Sequence, residues 1–81
     1  MVSEKVILRE ALDLVSIDQL VKELKAYPKT QVTVVRRGYD VDGRDAIKLG
    51  ELHAVAGDEL TVRCVGREER ACLRAAVSML A

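Results

Sequence analysis

The apolar residues of this chain change their spacing from one short segment to the next, and each spacing is typical of one kind of secondary structure. Alternation of apolar and polar residues predicts strands over 4–9 and 60–65, because successive side chains of a strand point to opposite faces. Apolar residues at i, i+3, i+4 and i+7 predict helices over 17–24 and 67–80. The chain therefore mixes strands and helices.

Capping residues predict where two helices begin. Ser16 followed by Gln19 is typical of a capping box that starts the first helix, and Pro28 ends that helix near residues 25–27. Asp45 is typical of an N-cap and predicts a short helix over 46–49. Each of these helices then has one apolar stripe and one polar face.

A β-hairpin is predicted between these two helices. Strand-forming residues over 31–36 and 39–42 flank Arg37 and Gly38, a pair that can form a tight turn with positive φ. The basic residues of this region lie among three aspartates, which predicts a solvated hairpin whose charges neutralise one another. These basic residues are Arg36, Arg37, Arg44 and Lys48.

The order of elements is therefore β-α-β-β-α-β-α, in a single α+β domain over 1–81. Three helices with one apolar stripe each are buried most simply on one face of a four-stranded antiparallel sheet. We therefore expect an open-faced two-layer sandwich. Its 81 residues, 49% of them hydrophobic, are enough for one small core.

Composition excludes several classes of function. Thirteen basic and thirteen acidic residues give a net charge of +0, which argues against binding to nucleic acid or an anionic membrane. No apolar run approaches the roughly 20 residues of a membrane span, and two cysteines with one histidine predict neither a disulfide framework nor a metal site. We expect a cytoplasmic protein without a cofactor.

The element order, the length and four short segments resemble the HPr family, the histidine-containing phosphocarrier proteins of the bacterial sugar phosphotransferase system. The matching segments are residues 19–25, Arg37–Gly38, 47–49, and 60–62 continuing through 66–69. The resemblance spans nearly the whole chain. It implies an HPr-like fold and a role connected with phosphoryl transfer.

In that family a histidine at the start of the first helix carries the phosphoryl group, in a Gly-Leu-His-Ala-Arg-Pro type motif. Residues 11–16 correspond to this motif here, with Asp13 in the place of the histidine, Val15 in the place of the arginine and Ser16 in the place of the proline. A carboxylate repels an incoming phosphoryl dianion, and a charge-assisted arginine contact is lost. We therefore expect a non-catalytic regulatory or protein-binding module and not an enzyme.

Two aspartates occupy the positions of family phosphorylation sites, and each has more than one interpretation. Asp13 is either a capping or solvated residue or the acceptor of a phosphoryl group. The second interpretation belongs to an active phosphocarrier, which would accept the group from enzyme I on Asp13 or on another residue. Asp45 corresponds to a serine that some bacteria phosphorylate. It is either an ordinary N-cap or a permanent negative charge that imitates the phosphorylated state.

The family binds its partners on the face formed by the starts of the first two helices, and this face is apolar here. The predicted partner-binding residues are Leu14, Val15, Ala46, Ile47 and Leu52. An exposed apolar patch on a small domain usually marks an interface, so we expect a protein partner at this face. The alternatives are that these side chains pack into the core and loops, or that the patch builds a homodimer.

Overall fold

Seven elements follow one another in the order that the sequence predicts, in a computed structural model that describes residues 1–81. They are β1 (Val2–Ile7), α1 (Leu14–Leu24), β2 (Thr30–Arg36), β3 (Tyr39–Asp42), α2 (Ala46–Glu51), β4 (Glu59–Gly66) and α3 (Glu69–Leu80). The strands form one antiparallel sheet in the order β1-β4-β2-β3. The predicted α+β open-faced sandwich is confirmed.

The central strand β4 shows how alternation buries one face of the sheet. Leu60, Val62 and Cys64 are fully buried, while Val65 and Glu59 are exposed. On the buried side α3 packs against β1, β4 and β2, and α1 packs against α3 and α2. The aliphatic core of 17 residues lies between the sheet and these helices, and the other face of the sheet is open.

The hairpin between β2 and β3 turns through two residues with left-handed backbone. Arg36 is opposite Tyr39 in the register, and between them Arg37 has φ 51° and Gly38 has φ 84°. Positive φ at both central residues is the type I′ geometry, which matches the right-handed twist of the flanking strands. The sequence prediction for this turn is therefore confirmed.

The start of the first helix differs from the prediction. Helix α1 begins at Leu14, and its N-cap is Asp13, whose carboxylate accepts a hydrogen bond from the backbone N–H of Ser16 at 2.9 Å. The predicted capping box of Ser16 and Gln19 is wrong, because the Ser16 hydroxyl instead donates to the carbonyl of Ala11 at 3.3 Å. An aspartate three residues earlier can cap the same helix and gains one more turn.

Other boundaries also differ from the prediction by one to two residues. Strand β1 spans Val2–Ile7 in place of residues 4–9, and it ends at Ile7, opposite Glu59, where its partner β4 begins. Helix α2 continues through Gly50 to Glu51, and α3 begins at Glu69. The last difference arises because the two residues after β4 form a turn. None of the helices has the length and apolarity needed to span a membrane.

Candidate functional site

At the start of the first helix, the carboxylate of Asp13 already accepts a hydrogen bond from the helix backbone. Asp13 has extended backbone angles, and its Oδ1 atom accepts the N–H of Ser16 at the first turn of α1. This backbone hydrogen bond is the main reason why the pKa of Asp13 is lowered from its ordinary value. Asp13 forms no salt bridge with any cationic side chain. The group is held as an anion in a capping role.

The two residues that follow Asp13 leave the helix start apolar. The side chains of Leu14 and Val15 are 83% and 65% exposed. Backbone N–H groups of a helix start are positioned to bind an anion, but here the N-cap carboxylate takes the N–H of Ser16, and the two exposed side chains that follow Asp13 are aliphatic. An incoming phosphoryl dianion would meet a fixed negative charge at Asp13, and neither Leu14 nor Val15 carries a charge that compensates it.

The start of the second helix repeats this arrangement. The carboxylate of Asp45 accepts the N–H of Lys48 at 3.0 Å, so Asp45 is the N-cap that the sequence predicts. Ala46 and Ile47 follow it in the first turn, and the side chain of Ile47 is 76% exposed. Leu52, which we also predicted at the partner-binding face, is only 7% exposed and belongs to the core. That part of the prediction is wrong, because α2 ends by turning Leu52 inward.

Contacts between the helices place their two starts close together. A methyl group at Gly50 would lie 3.9 Å from Cδ1 of Ile17, so α1 and α2 pack at these residues. Ile17 lies three residues after Leu14, and Gly50 lies three residues after Ile47, which is about 4.5 Å along each axis. Both exposed first turns therefore lie within one helical turn of the same helix contact. We call Leu14, Val15, Ala46 and Ile47 the helix-start surface.

The end of α1 is tied to the start of α2 by Arg44. Its guanidinium donates to the carbonyls of Leu24 at 3.0 Å, Tyr27 at 2.6 Å and Thr30 at 2.8 Å. Our prediction that Arg44 belongs to a solvated, self-neutralised hairpin is wrong. The sequence offers no signal for this contact, because the three partners are main-chain carbonyls 14 to 20 residues away.

The loop after α2 is fixed by a second arginine. Arg36 donates to the carbonyl of Leu52 and to the carboxylate of Asp58, each at 3.0 Å. Asp58 also accepts the N–H of Val55 at 2.8 Å, and this bond is the main cause of the lowered pKa of Asp58. The rigid loop lies beside the first helix start, since the N–H of Leu12 donates to the carbonyl of Ala54 at 3.0 Å.

No histidine lies in the first turn of α1 or of α2. The chain has a single histidine, His53, which lies in the loop after α2, is exposed and has φ 50°. No group of three or more His, Cys, Asp or Glu side chains is arranged to hold a metal ion. The two cysteines, Cys64 and Cys72, are free and buried in the core. The helix starts therefore offer hydrogen-bonded carboxylates and exposed aliphatic side chains.

Comparison with protein families identifies the chain. A family model described as the phosphorylation site of the HPr component of the phosphotransferase system matches residues 4–81. The chain belongs to the HPr family. The sequence resemblance is thereby confirmed over almost the full length, and the name applies to the whole domain.

Solved HPr structures share the fold at low sequence identity. A phosphocarrier protein HPr from Bacillus anthracis str. Ames is 16% identical, with a TM-score of 0.92 over 99% of this chain and 96% of that chain. HPr-C-His from Thermoanaerobacter tengcongensis is 15% identical, with a TM-score of 0.92 over 99% and 91% of the two chains. The histidine-containing phosphocarrier protein of a mycoplasma is 14% identical, with a TM-score of 0.86 over 96% and 90%. None of the curated proteins compared with the chain matches it.

Proposed function

We propose that this HPr-family protein is a non-catalytic docking module that binds a protein partner without carrying a phosphoryl group. The observation that carries the proposal is the first helix start, where an N-cap aspartate is followed by Leu14 and Val15 and no histidine is present. By the family motif, Asp13 stands in the place of the phosphorylated histidine. As the N-cap, Asp13 holds its Oδ1 atom in a hydrogen bond with the N–H of Ser16, which leaves only Oδ2 free of the capping bond.

The chemistry of the helix start supports loss of transfer on three grounds. Asp13 lacks the imidazole nitrogen that is nucleophilic near neutral pH. Val15 takes the place of the arginine that would compensate the phosphate charge, a contact of about 1.5–3 kcal/mol. Aspartyl phosphate chemistry usually requires a divalent metal or a neighbouring cation, and the salt bridges of this chain include none with Asp13.

The helix-start surface supports docking. Leu14, Val15 and Ile47 leave large aliphatic side chains exposed at 83%, 65% and 76% within one helical turn of the α1–α2 contact. When a partner covers exposed apolar groups, the removal of their surface from water contributes about 25 cal/mol of favourable binding free energy per Å². Asp45 adds a permanent negative charge beside them, which we propose imitates the phosphorylated serine of relatives. The protein acts in the cytoplasm, where Cys64 and Cys72 stay reduced.

A phosphorylation assay tests the first half of the proposal. The protein is incubated with enzyme I and ³²P-labelled phosphoenolpyruvate, beside an HPr that carries the family histidine as positive control. We expect no stable label on the wild type and none on Asp13→Asn. Stoichiometric label on the wild type that disappears in Asp13→Asn would establish an active phosphocarrier and refute the proposal.

A titration against unlabelled enzyme I tests the second half. With ¹⁵N-labelled protein, we expect shifts at residues 14, 15, 46 and 47 and weaker binding of Ile47→Asp. The matched control is Ile7→Asp, because Ile7 is 57% exposed but lies on β1. Equal weakening by both variants would contradict the proposed surface. Sedimentation of wild type and Ile47→Asp checks the homodimer alternative, which would replace the proposal if a wild-type dimer dissociated in the variant.

A further inference from the structure

The first strand has an outer edge with no partner. Strand β1 lies at the end of the sheet, paired only with β4. Just after β1, the N–H of Leu8 donates toward β4 at Asp58, and the N–H of Arg9 donates the other way, to the carbonyl of Leu80. Because these directions alternate along an antiparallel strand, every second residue of β1 presents its N–H and C=O outward. These residues are Ser3, Lys5 and Ile7.

Beside this edge an open groove of about 320 Å³ separates β1 from α3. Its apolar floor consists of Val2, Leu73 and Val77, which are partly buried and packed against the core. Its outer wall carries Arg70 and Arg74, one turn apart on α3. Neither arginine forms an ion pair in the folded chain. Glu4 also lines the groove. The groove thus combines apolar surface with two arginines and one carboxylate, which leaves it with a net positive charge.

We propose that this groove binds an extended segment of a protein partner in which the side chains on the face toward α3, at every second residue, are in turn apolar and acidic. The segment would add as a fifth strand to β1, about 4.8 Å away. On the face toward α3, the apolar side chains of the added strand would cover the groove floor, and the carboxylates on the same face would reach Arg70 and Arg74. Its backbone would pair with the outward groups of β1. Nucleic acid has no backbone N–H and C=O ladder to offer this edge, and the net charge of +0 favours no polyanion in general.

A second copy of this chain fits the edge less well than an acidic segment. The outward groups belong to odd-numbered residues, so two β1 strands can pair only in registers that keep odd residues opposite odd residues. The two registers with the longest overlap place Glu4 against Glu4 or Lys5 against Lys5. Directly opposed like charges destabilise a strand pair. Charge complementarity therefore favours a foreign acidic strand.

Fluorescence anisotropy of a labelled heptapeptide tests the inference. The probe carries valine and glutamate in turn at its odd positions and threonine at its even positions, so that both groups lie on one face of a strand. A matched peptide has lysine in place of each glutamate. We expect the glutamate peptide to bind and the Arg70→Glu/Arg74→Glu variant to weaken binding about tenfold, from two lost and two repulsive charge contacts. The control Lys25→Glu/Lys29→Glu makes the same charge change on exposed residues away from the groove and should bind within about twofold of wild type.

Backbone pairing has its own test. Lys5→Pro removes an outward N–H without removing a bond to β4, whereas Lys5→Gln removes the same charge and keeps the N–H. We expect binding to be lost only in Lys5→Pro, and a peptide N-methylated on alternate residues not to bind even the wild type. Ile47→Asp should bind the peptide normally, which separates this groove from the helix-start surface.

Several outcomes would overturn the inference. They are absence of binding by the glutamate peptide, equal binding of the lysine or N-methylated peptide, or equal weakening by the Lys25→Glu/Lys29→Glu control. Binding of duplex DNA in place of the peptide would show a polyanion site. Self-association of the wild type that disappears in Lys5→Pro would assign the edge to a second copy.

Discussion

Replacement of Arg44 should reveal how strongly one side chain holds the helix starts in place. Its guanidinium forms three hydrogen bonds to main-chain carbonyls at 2.6–3.0 Å. Hydrogen bonds from a charged donor contribute about 1.5–3 kcal/mol each. The half-buried position lets water reach part of the site, and neighbouring bonds are not additive. We therefore expect Arg44→Gln to lower the free energy of unfolding by about 2–4 kcal/mol.

This loss would be large for an 81-residue domain, whose total stability is of the order of 4–12 kcal/mol. At about 4–8 °C per kcal/mol, the midpoint of thermal unfolding should fall by about 15 °C. Urea unfolding followed by circular dichroism measures the free energy directly. The matched control is Arg70→Gln, which removes an exposed arginine without an ion pair and should change stability by less than about 0.5 kcal/mol.

Arg44→Lys separates the shape of the guanidinium from its charge. A lysine ammonium is a point charge and cannot match a planar fork that reaches three carbonyls, so most of the loss should persist. Hydrogen exchange should also show reduced protection of the backbone N–H groups at the start of α2. If Arg44→Lys is as stable as the wild type, or if Arg44→Gln loses no more stability than Arg70→Gln, the three hydrogen bonds of the Arg44 guanidinium do not hold the helices together as we infer.

Three other predictions concern acid stability, glycine geometry and thiol reactivity. Hydrogen bonds lower the pKa of Asp13 and Asp58 below the ordinary 3.8, so the stabilisation by these two carboxylates is complete above that pH and is lost as the pH falls below it. Thermal unfolding at a series of pH values should show this loss, and the loss should be smaller in Asp13→Asn. The same dependence on pH in Asp13→Asn and the wild type would contradict the prediction. Gly66 has φ 146°, and a methyl group there would collide with the carbonyl of Lys29. Gly66→Ala should therefore destabilise the fold by at least about 2 kcal/mol more than the control Gly38→Ala, because no atom lies within 4 Å of a methyl group at Gly38. Equal midpoints of urea unfolding for the two variants would contradict this prediction. Burial raises the pKa of the Cys64 thiol to about 12, so Ellman's reagent should label the two cysteines only after denaturation, and rapid labelling of the native protein would contradict their burial.

The elements whose signals are local were predictable from the sequence. The alternation of Leu60, Val62 and Cys64 requires only that one face of a strand be buried. The Asp45 N-cap and the Arg37–Gly38 turn depend on neighbouring backbone atoms alone. For this reason the order of elements, the fold and the family are all confirmed.

The errors concern competition between local alternatives and contacts between distant residues. Asp13 and Ser16 are both good N-caps, and the chain uses the earlier one because it gains an extra helical turn. Leu52 follows α2 as its C-cap, beyond the helical spacing that the sequence predicts, and it is buried together with Leu49. The role of Arg44 depends on carbonyls that carry no sequence signal.

The amino-acid sequence by itself determined the succession of strands and helices and the absence of histidine from the start of the first helix. These properties follow from side-chain chemistry and from periodicity over a few residues. Only the tertiary structure decided that two helix starts lie within one turn of the same contact and that a groove with two unpaired arginines lies beside an open strand edge. Both depend on how separate elements pack, and packing brings together residues whose separation along the chain gives no information about their distance in space.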